Sequence, residues 1–430
     1  MRLLIKGGRV VDPISKTEKN LDILIEHGKI TELGEDLSST LINKQLTEID
    51  VKGKVVAPGL IDMHTHLREP GREDEETIET GTKAAAAGGF TSICSMPNTD
   101  PTNDNSSITE FILSQAREVG KINVFPIGSL TLKSKGENLA EFGYQKKAGI
   151  VAVSDDGRPV MDAELMRRAM EYAKMFNLPV ITHSEDLNLS SAGQMNEGYY
   201  STILGFKGVP NAAEEVMIAR DIILCELTGV HLHVAHVSTA GSVRLIADAK
   251  KRGVPITSEV TPHHLSLSDE SIQTFDTNYK VNPPLRTPKD IEALKEGLKE
   301  GIIDVIATDH APHSLAEKEL EFNYASCGMI GLETALPLAL RLYHSKIMEL
   351  SDLIAKFTIN PARILDLKNK GCLKTQMDAD LTIIDLDKKF IVDVNKFKSK
   401  SKNSPFNGWE LKGKAVCTIV KGRIVYSELG

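Results

Sequence analysis

Gly59-Leu-Ile-Asp-Met-His-Thr-His-Leu-Arg68 is a short apolar run that ends in two histidines separated by one residue. In an extended strand, residues two apart point to the same face. His64 and His66 then project side by side from one strand end and can converge on a single cation. Asp62 has the same parity, and a carboxylate behind a ligating histidine can accept its second N–H and fix the tautomer. The run predicts a strand with half a metal site at its C-terminal end.

Further runs of this kind follow, separated by segments of helical period: Thr91 to Met96, Asn123 to Ile127, Gly149 to Ser154, Pro179 to His183, His231 to His236, Pro255 to Val260 and Asp304 to Thr308. With Pro58 to His64 they make eight strands, which predicts an α/β fold, a closed (β/α)8 TIM-like barrel with its site at the C-terminal strand ends. Those ends carry His64, His66 and Arg68; Pro97 and Asn98; Asp155 and Asp156; His183 and Glu185; His236; His263 and His264; and Asp309, His310 and His313. Most of the chain's 12 histidines fall there. On the last strand Val305, Ala307 and Asp309 share a face, which sets Asp309 at the barrel mouth. In His231-Leu-His-Val-Ala-His236 regular parity puts His231 and His233 opposite His236. His236 is the candidate ligand, and the other two are expected beneath the outer helices, satisfied by backbone or carboxylate.

The chain ends read differently. Residues 1–56 are short strands broken by glycine turns (Leu3 to Ile5, Arg9 to Val11, Asp22 to Ile25, Ile30 to Leu33, Val51, Val55 to Val56), with no helix. Residues 366–430 hold Ala379 to Asp385, a lysine- and serine-rich stretch at 396–404, then Ala415 to Val420 and Arg423 to Val425. The two ends are predicted to pair into one small β-sandwich beside a catalytic barrel at 57–365.

The 430 residues carry a formal net charge of −8, which leaves no basic field for nucleic acid or anionic lipid and points to a small-molecule site. The 5 cysteines are scattered without a C-x-x-C spacing, as expected of a chain in a reducing cytoplasm. Neither an export signal nor a membrane span is read.

Imidazoles and carboxylates without cysteine suit Zn²⁺ with an open position for water. Such an ion lowers the pKa of bound water from about 15.7 to about 7, so hydroxide and hydrolysis follow. Attack on an amide also needs a group that takes the water proton and returns it to the leaving nitrogen, and Asp309 is the candidate. Arg68, of the same parity as His66, puts a guanidinium beside the metal and suggests a carboxylate on the substrate. Asn98 can add an amide donor. The plainer roles are Arg68 paired with Glu69 or Glu73, and Asn98 shaping a turn.

Pro58-Gly-Leu-Ile-Asp-Met-His-Thr-His-Leu-Arg-Glu-Pro-Gly71, Ser95-Met-Pro-Asn-Thr99, Val153-Ser-Asp-Asp-Gly157, Ile181-Thr-His-Ser-Glu185, His233-Val-Ala-His-Val-Ser238, Val281-Asn-Pro-Pro-Leu-Arg286 and Ala307-Thr-Asp-His-Ala-Pro-His313 resemble the longer bacterial dihydroorotases of the amidohydrolase superfamily. The resemblance covers essentially the whole chain. It implies the reversible cyclisation of N-carbamoyl-L-aspartate to L-dihydroorotate in pyrimidine biosynthesis. The implied metal ligands, for one or two Zn²⁺, are His64, His66, Asp156, His183, His236 and Asp309, with Asp309 the general acid/base. The implied substrate residues are His66, Leu67, Arg68, Asn98, Asn282, His313, Cys327 and Gly328. A homodimer and a complex with aspartate transcarbamoylase are implied partners.

Two departures stand out. Many relatives bridge two metals with a carboxylated lysine on strand four, where this chain reads Val151-Ala-Val-Ser-Asp-Asp156. Asp156 or its neighbour Asp155 takes that place, and the family pattern favours Asp156. The family often has phenylalanine where Cys327 stands. The alternatives are another cyclic amidohydrolase (hydantoinase, dihydropyrimidinase or allantoinase) and a non-catalytic partner of aspartate transcarbamoylase. The first usually keeps the lysine and has no need of Arg68; the second is expected to have lost ligands.

Overall fold

The computed structural model describes residues 2–40 and 46–429. Parallel strands Leu60–Thr65, Phe90–Ser95 and Asn123–Pro126 form one ladder. A second ladder runs through Gly128–Ser129, Val153–Ser154, Val180–Thr182, Leu232–Val234, Ile256–Val260 and Val305–Ile306. The third strand continues past Ile127 and so belongs to both. Between the last strand and the first, His66 N–H donates to the His310 carbonyl at 2.9 Å and Thr65 pairs with His310, which closes an eight-stranded barrel. Each expected strand run lies on one of these strands.

The alternation in the sequence supplies the two faces. Leu60, Ile93, Val153, Val180, Leu232, Val234, Val260 and Ile306 pack outward against the helices. Met63, Cys94, Met96, Ile127, Ala152, Ile181, Ala235, Val305 and Ala307 fill the interior. The barrel is therefore a packed core, and only its ends are available for chemistry. Several helices start on side-chain caps. Thr77 accepts from the Thr80 N–H at the head of Ile78–Gly88, and that helix stops at Gly89, whose φ of 94° is the left-handed region that glycine enters without strain.

Both chain ends join one eight-stranded sheet with its own core of Leu3, Ile5, Val10, Ile23, Ile25, Val56, Leu381, Ile383, Val416 and Ile419. Strand Val55–Pro58 from the N-terminal part pairs antiparallel with Leu381–Ile391 from the C-terminal part. The first strand, Arg2–Asp12, pairs with Thr47–Asp50 over its first half and with Val55–Pro58 over its second, switching partners at a bulge beside Gly7, where φ is 71°. A sandwich turns its corner this way. Three details differ from expectation. Thr47–Asp50 is a strand despite its polar sequence, because it pairs with Arg2–Asp12 at the sheet. A helical turn, Leu37–Thr40, interrupts the strands and packs Leu37 against Leu4 and Leu24. The C-terminal strands run longer than their apolar cores, as Leu381–Ile391 and Glu410–Val420.

Candidate active site

Six side chains converge at the C-terminal end of the barrel. His64 Nε2 lies 3.3 Å from Asp156 Oδ1 and 3.4 Å from Asp309 Oδ1. His66 Nε2 lies 3.0 Å from Asp309 Oδ1 and 3.5 Å from Asp156 Oδ2. Asp156 Oδ1 is 3.6 Å from His236 Nε2 and 3.8 Å from His183 Nδ1, and those two nitrogens are 2.9 Å apart. Asp156 is thus central, within 4 Å of all four imidazoles.

Backbone conformation helps aim the set. Arg68, His236 and Asp309 have φ of 61°, 32° and 48°, a left-handed region that costs a non-glycine residue about 1–3 kcal/mol. At His236 this explains how parity is evaded: the strand ends at Val234, and the chain turns His236 back to the centre. His233 shares the interior face instead of lying beneath the outer helices, because Leu232 and Val234 take the outward positions. Its Nε2 is 3.2 Å from Glu259 Oε2, while His231 meets the Thr257 hydroxyl.

Glu259 escaped the sequence reading. It is fully buried on Ile256–Val260 and accepts from His64 Nδ1 at 2.6 Å. That is the role expected of Asp62, which instead accepts from the Thr308 N–H (3.1 Å), the Thr308 hydroxyl (2.5 Å) and the His64 backbone N–H (3.1 Å). A carboxylate inside an apolar strand, at the interior parity of Thr257, was the available signal, since buried charge requires partners. Asp155 also has a separate role. It accepts from Ser129 Oγ at 2.7 Å and Thr131 N–H at 3.0 Å, tying the third and fourth strands together.

The donor set suits a cation. With His64 Nδ1 held by Glu259, the opposite nitrogen faces the centre, and His64 Nε2 and Asp156 Oδ1 are buried without a hydrogen-bond partner. Orphaned polar atoms of this kind are costly unless an ion completes them. Donors of His64, Asp156 and His236, and those of His64, His66 and Asp309, lie within 4.8 Å of one another. Burial would raise both central carboxyls, but the charge of His64, joined at Asp309 by the hydrogen bond with His66, outweighs it, so Asp156 and Asp309 sit below the ordinary carboxylate range. Glu75, His313 and Glu317 form a third such group, already engaged by Arg68 and Arg72.

Around this centre lie the expected substrate residues. Asn98 Oδ1 is 2.8 Å from His66 Nδ1. Arg68 Nε is 3.1 Å from Glu75 Oε2 and from the Pro312 carbonyl; its carboxylate partner is Glu75, not Glu69 or Glu73. His313 Nε2 is 2.8 Å from the Cys327 carbonyl, which brings that turn to the same side. Gly328 has a φ of 137°, and a Cβ there would lie 2.7 Å from the Ala311 Cβ. Asn282 Nδ2 donates to Glu185 Oε2 at 2.9 Å. Leu67 departs from the set: its side chain is fully buried in the core, against Gly81, and only its backbone can serve the mouth. Cys327 is exposed, so it adds no packed wall. His264 is held by Thr261 Oγ1 and the Pro283 carbonyl, whereas His263, buried nearby, keeps Nε2 unpartnered.

A barrel closed on a His/Asp centre and joined to a sheet built from both chain ends agrees with a match to the amidohydrolase family over residues 55–425, and the chain belongs to that family. The enzyme is a hydrolase of a cyclic amide. It is 55% identical to the dihydroorotase of Acetivibrio thermocellus over 99% of both chains. It is 52% identical to that of Syntrophus aciditrophicus over 100% of both. Among solved structures it superposes on the L-hydantoinase (dihydropyrimidinase) of Arthrobacter aurescens with a TM-score of 0.90 and 26% identity, covering 100% of this chain and 96% of that one.

Proposed function

We propose that the chain is a dihydroorotase, interconverting L-dihydroorotate and N-carbamoyl-L-aspartate, with His64, His66, Asp156, His183, His236 and Asp309 as ligands of Zn²⁺. The observation that carries the reading is the 52–55% identity to dihydroorotases along the full chain. The Arg68, Asn98 and His313 side chains beside the His/Asp centre support it. A divalent ion bound there supplies Lewis-acid polarisation of a carbonyl and acidifies a water.

The protein's own groups do the rest. Arg68 offers a guanidinium to the substrate carboxylate, and Asn98 and His313 orient the ring from either side. Asp309, ionised at neutral pH, takes one proton from water as its oxygen adds to the ring amide carbonyl. It then delivers that proton to the ring nitrogen as the C–N bond breaks, leaving a carbamoyl N–H and a carboxylic acid, which releases the second water proton to solvent to become a carboxylate. Ring closure is the reverse. Hydantoin or dihydropyrimidine substrates carry no carboxylate for Arg68, which disfavours them despite the fold likeness.

The reading includes a homodimer, aspartate transcarbamoylase as a candidate partner, and a reducing cytoplasmic setting in which the five free cysteines stay reduced. No helix among the described residues is long and apolar enough to cross a membrane.

The test is consumption of L-dihydroorotate by the zinc-loaded chain, followed by its ultraviolet absorbance, beside Asp309→Asn. Asparagine tolerates the left-handed backbone of this position and keeps a side-chain oxygen for the ion, so with zinc content measured beside it the variant reports the proton transfer, worth about 10²–10⁴ in rate. Rapid turnover lost in the variant supports the assignment. An idle, folded, metal-loaded wild type overturns it.

A further inference from the structure

Residues 399–403 lie between strands Leu381–Ile391 and Glu410–Val420, in the lysine- and serine-rich stretch. Ser399, Ser401 and Asn403 are buried. Asn403 uses its whole side-chain amide on the mouth: Nδ2 donates to the Ala311 carbonyl at 3.0 Å and the Gly328 carbonyl at 3.2 Å, and Oδ1 accepts from the His313 N–H at 3.2 Å. A few residues earlier, Ser401 Oγ donates to the Glu75 carbonyl at 2.7 Å, the Lys400 N–H to Glu76 Oε1 at 3.1 Å, and Ser399 Oγ to Glu76 Oε2. Glu75 in turn meets Arg68 Nε at 3.1 Å and His313 Nδ1 at 3.1 Å.

We propose that residues 399–403 are a strap that sets the substrate side of the site, with Asn403 its positioning residue. One short segment fixes the Arg68 side through Glu75 and the His313–Gly328 side through Asn403. Its side chains make no hydrogen bond or ion pair with the six side chains of the His/Asp centre. The strap governs the spacing of the groups that grip the substrate, and so affinity, while leaving the ion and Asp309 alone. The inference rests on the dihydroorotase reading for the substrate, and on hydrogen bonding alone for the strap.

The experiment is Asn403→Ala in the full, zinc-loaded chain. The expected result is a KM about tenfold or more above wild type for both substrates with kcat within about threefold, the signature of lost binding shared by ground and transition states. Bound zinc stays at the wild-type level, and hydrogen exchange accelerates in 310–316 and 326–330. Asn403→Asp, which keeps the acceptor for the His313 N–H but sets a carboxylate against two carbonyls, raises KM likewise. If Asn403→Ala does not fold, Ser401→Ala removes a single hydrogen bond and should raise KM about two- to fivefold. An unchanged KM, or a fall in kcat together with lost zinc, overturns the strap. An idle wild type sinks the functional reading instead, and the exchange measurement then decides the strap: unchanged rates at both segments refute it.

Discussion

Glu259→Gln isolates the support of the His/Asp centre from its ligands. Glu259 Oε1 accepts from His64 Nδ1 at 2.6 Å and Oε2 faces His233 Nε2 at 3.2 Å. Burial opposes its ionisation, but the His64 and His233 imidazoles hold its pKa to about 2. Glutamine fills the same volume with one acceptor and one donor. Either His64 loses the partner that directs its Nε2 to the centre, or His233 does. Replacing a charge-assisted hydrogen bond by a neutral one costs about 1–2 kcal/mol, and loss of a carboxylate behind a metal-bound histidine weakens metal affinity about 10–100-fold, equivalent to about 1.4–2.8 kcal/mol. The two estimates agree. The assay is zinc competition against a chelator of known affinity, with elemental analysis for stoichiometry and kcat measured at saturating zinc. The expected outcome is a zinc Kd raised by that factor and turnover largely restored by excess zinc. A folded variant whose zinc Kd stays within about twofold of wild type refutes the argument that Glu259 fixes the His64 tautomer.

Two further outcomes are expected. Asp156→Asn should abolish stable metal binding, whereas Asp155→Asn should keep the metal and lower unfolding stability by about 1–3 kcal/mol, because Asp155 ties the end of the fourth strand to Ser129 and Thr131 of the third; metal content and denaturant midpoints of the pair read this directly. Glu333 accepts from the Lys398 and Ser399 N–H groups at the start of the strap, yet burial, opposed by those bonds and the charges of Lys402 and Lys398, raises its carboxyl to about 7 from 4.5. The folded chain therefore keeps a proton that the unfolded chain has lost. Its stabilising effect is complete below about 4.5 and disappears as pH rises through about 7, worth at most about 3 kcal/mol. Glu333→Gln should flatten stability between pH 5 and 8 and gain stability at pH 8; parallel wild-type and variant curves would count against it.

The fold was legible because the barrel strands are short apolar runs whose parity divides interior from exterior, and Val305 and Ala307 obey that parity up to the mouth. The same rule fails where the backbone leaves the strand. His236 reaches the centre through a left-handed residue beyond Val234, a turn that no period-two pattern contains. Asp155 and Asp156 are adjacent and chemically identical, so only tertiary contacts assign one to Ser129 and Thr131 and the other to four imidazoles. The strap was hidden for a related reason. Its lysines and serines have the composition of solvated chain, and what buries the serines are carbonyl and carboxylate groups far away in sequence, as between Ser401 and Glu75, 326 residues apart.

Charge explains why these residues sit together. Glu259, Asp156 and Asp309 are three buried carboxylates, and His64 touches all of them, through Nδ1 to the first and Nε2 to the other two. One imidazolium cannot balance three carboxylates. Protonating the neighbouring histidines as well would crowd like charges, with His183 Nδ1 and His236 Nε2 only 2.9 Å apart. A divalent cation resolves both conflicts, since it offsets the carboxylates while requiring the imidazoles to be neutral. With an ion in place Glu259 would accept from a neutral His64 Nδ1–H, and the nitrogen and oxygen left without hydrogen-bond partners, His64 Nε2 and Asp156 Oδ1, would be free to hold it.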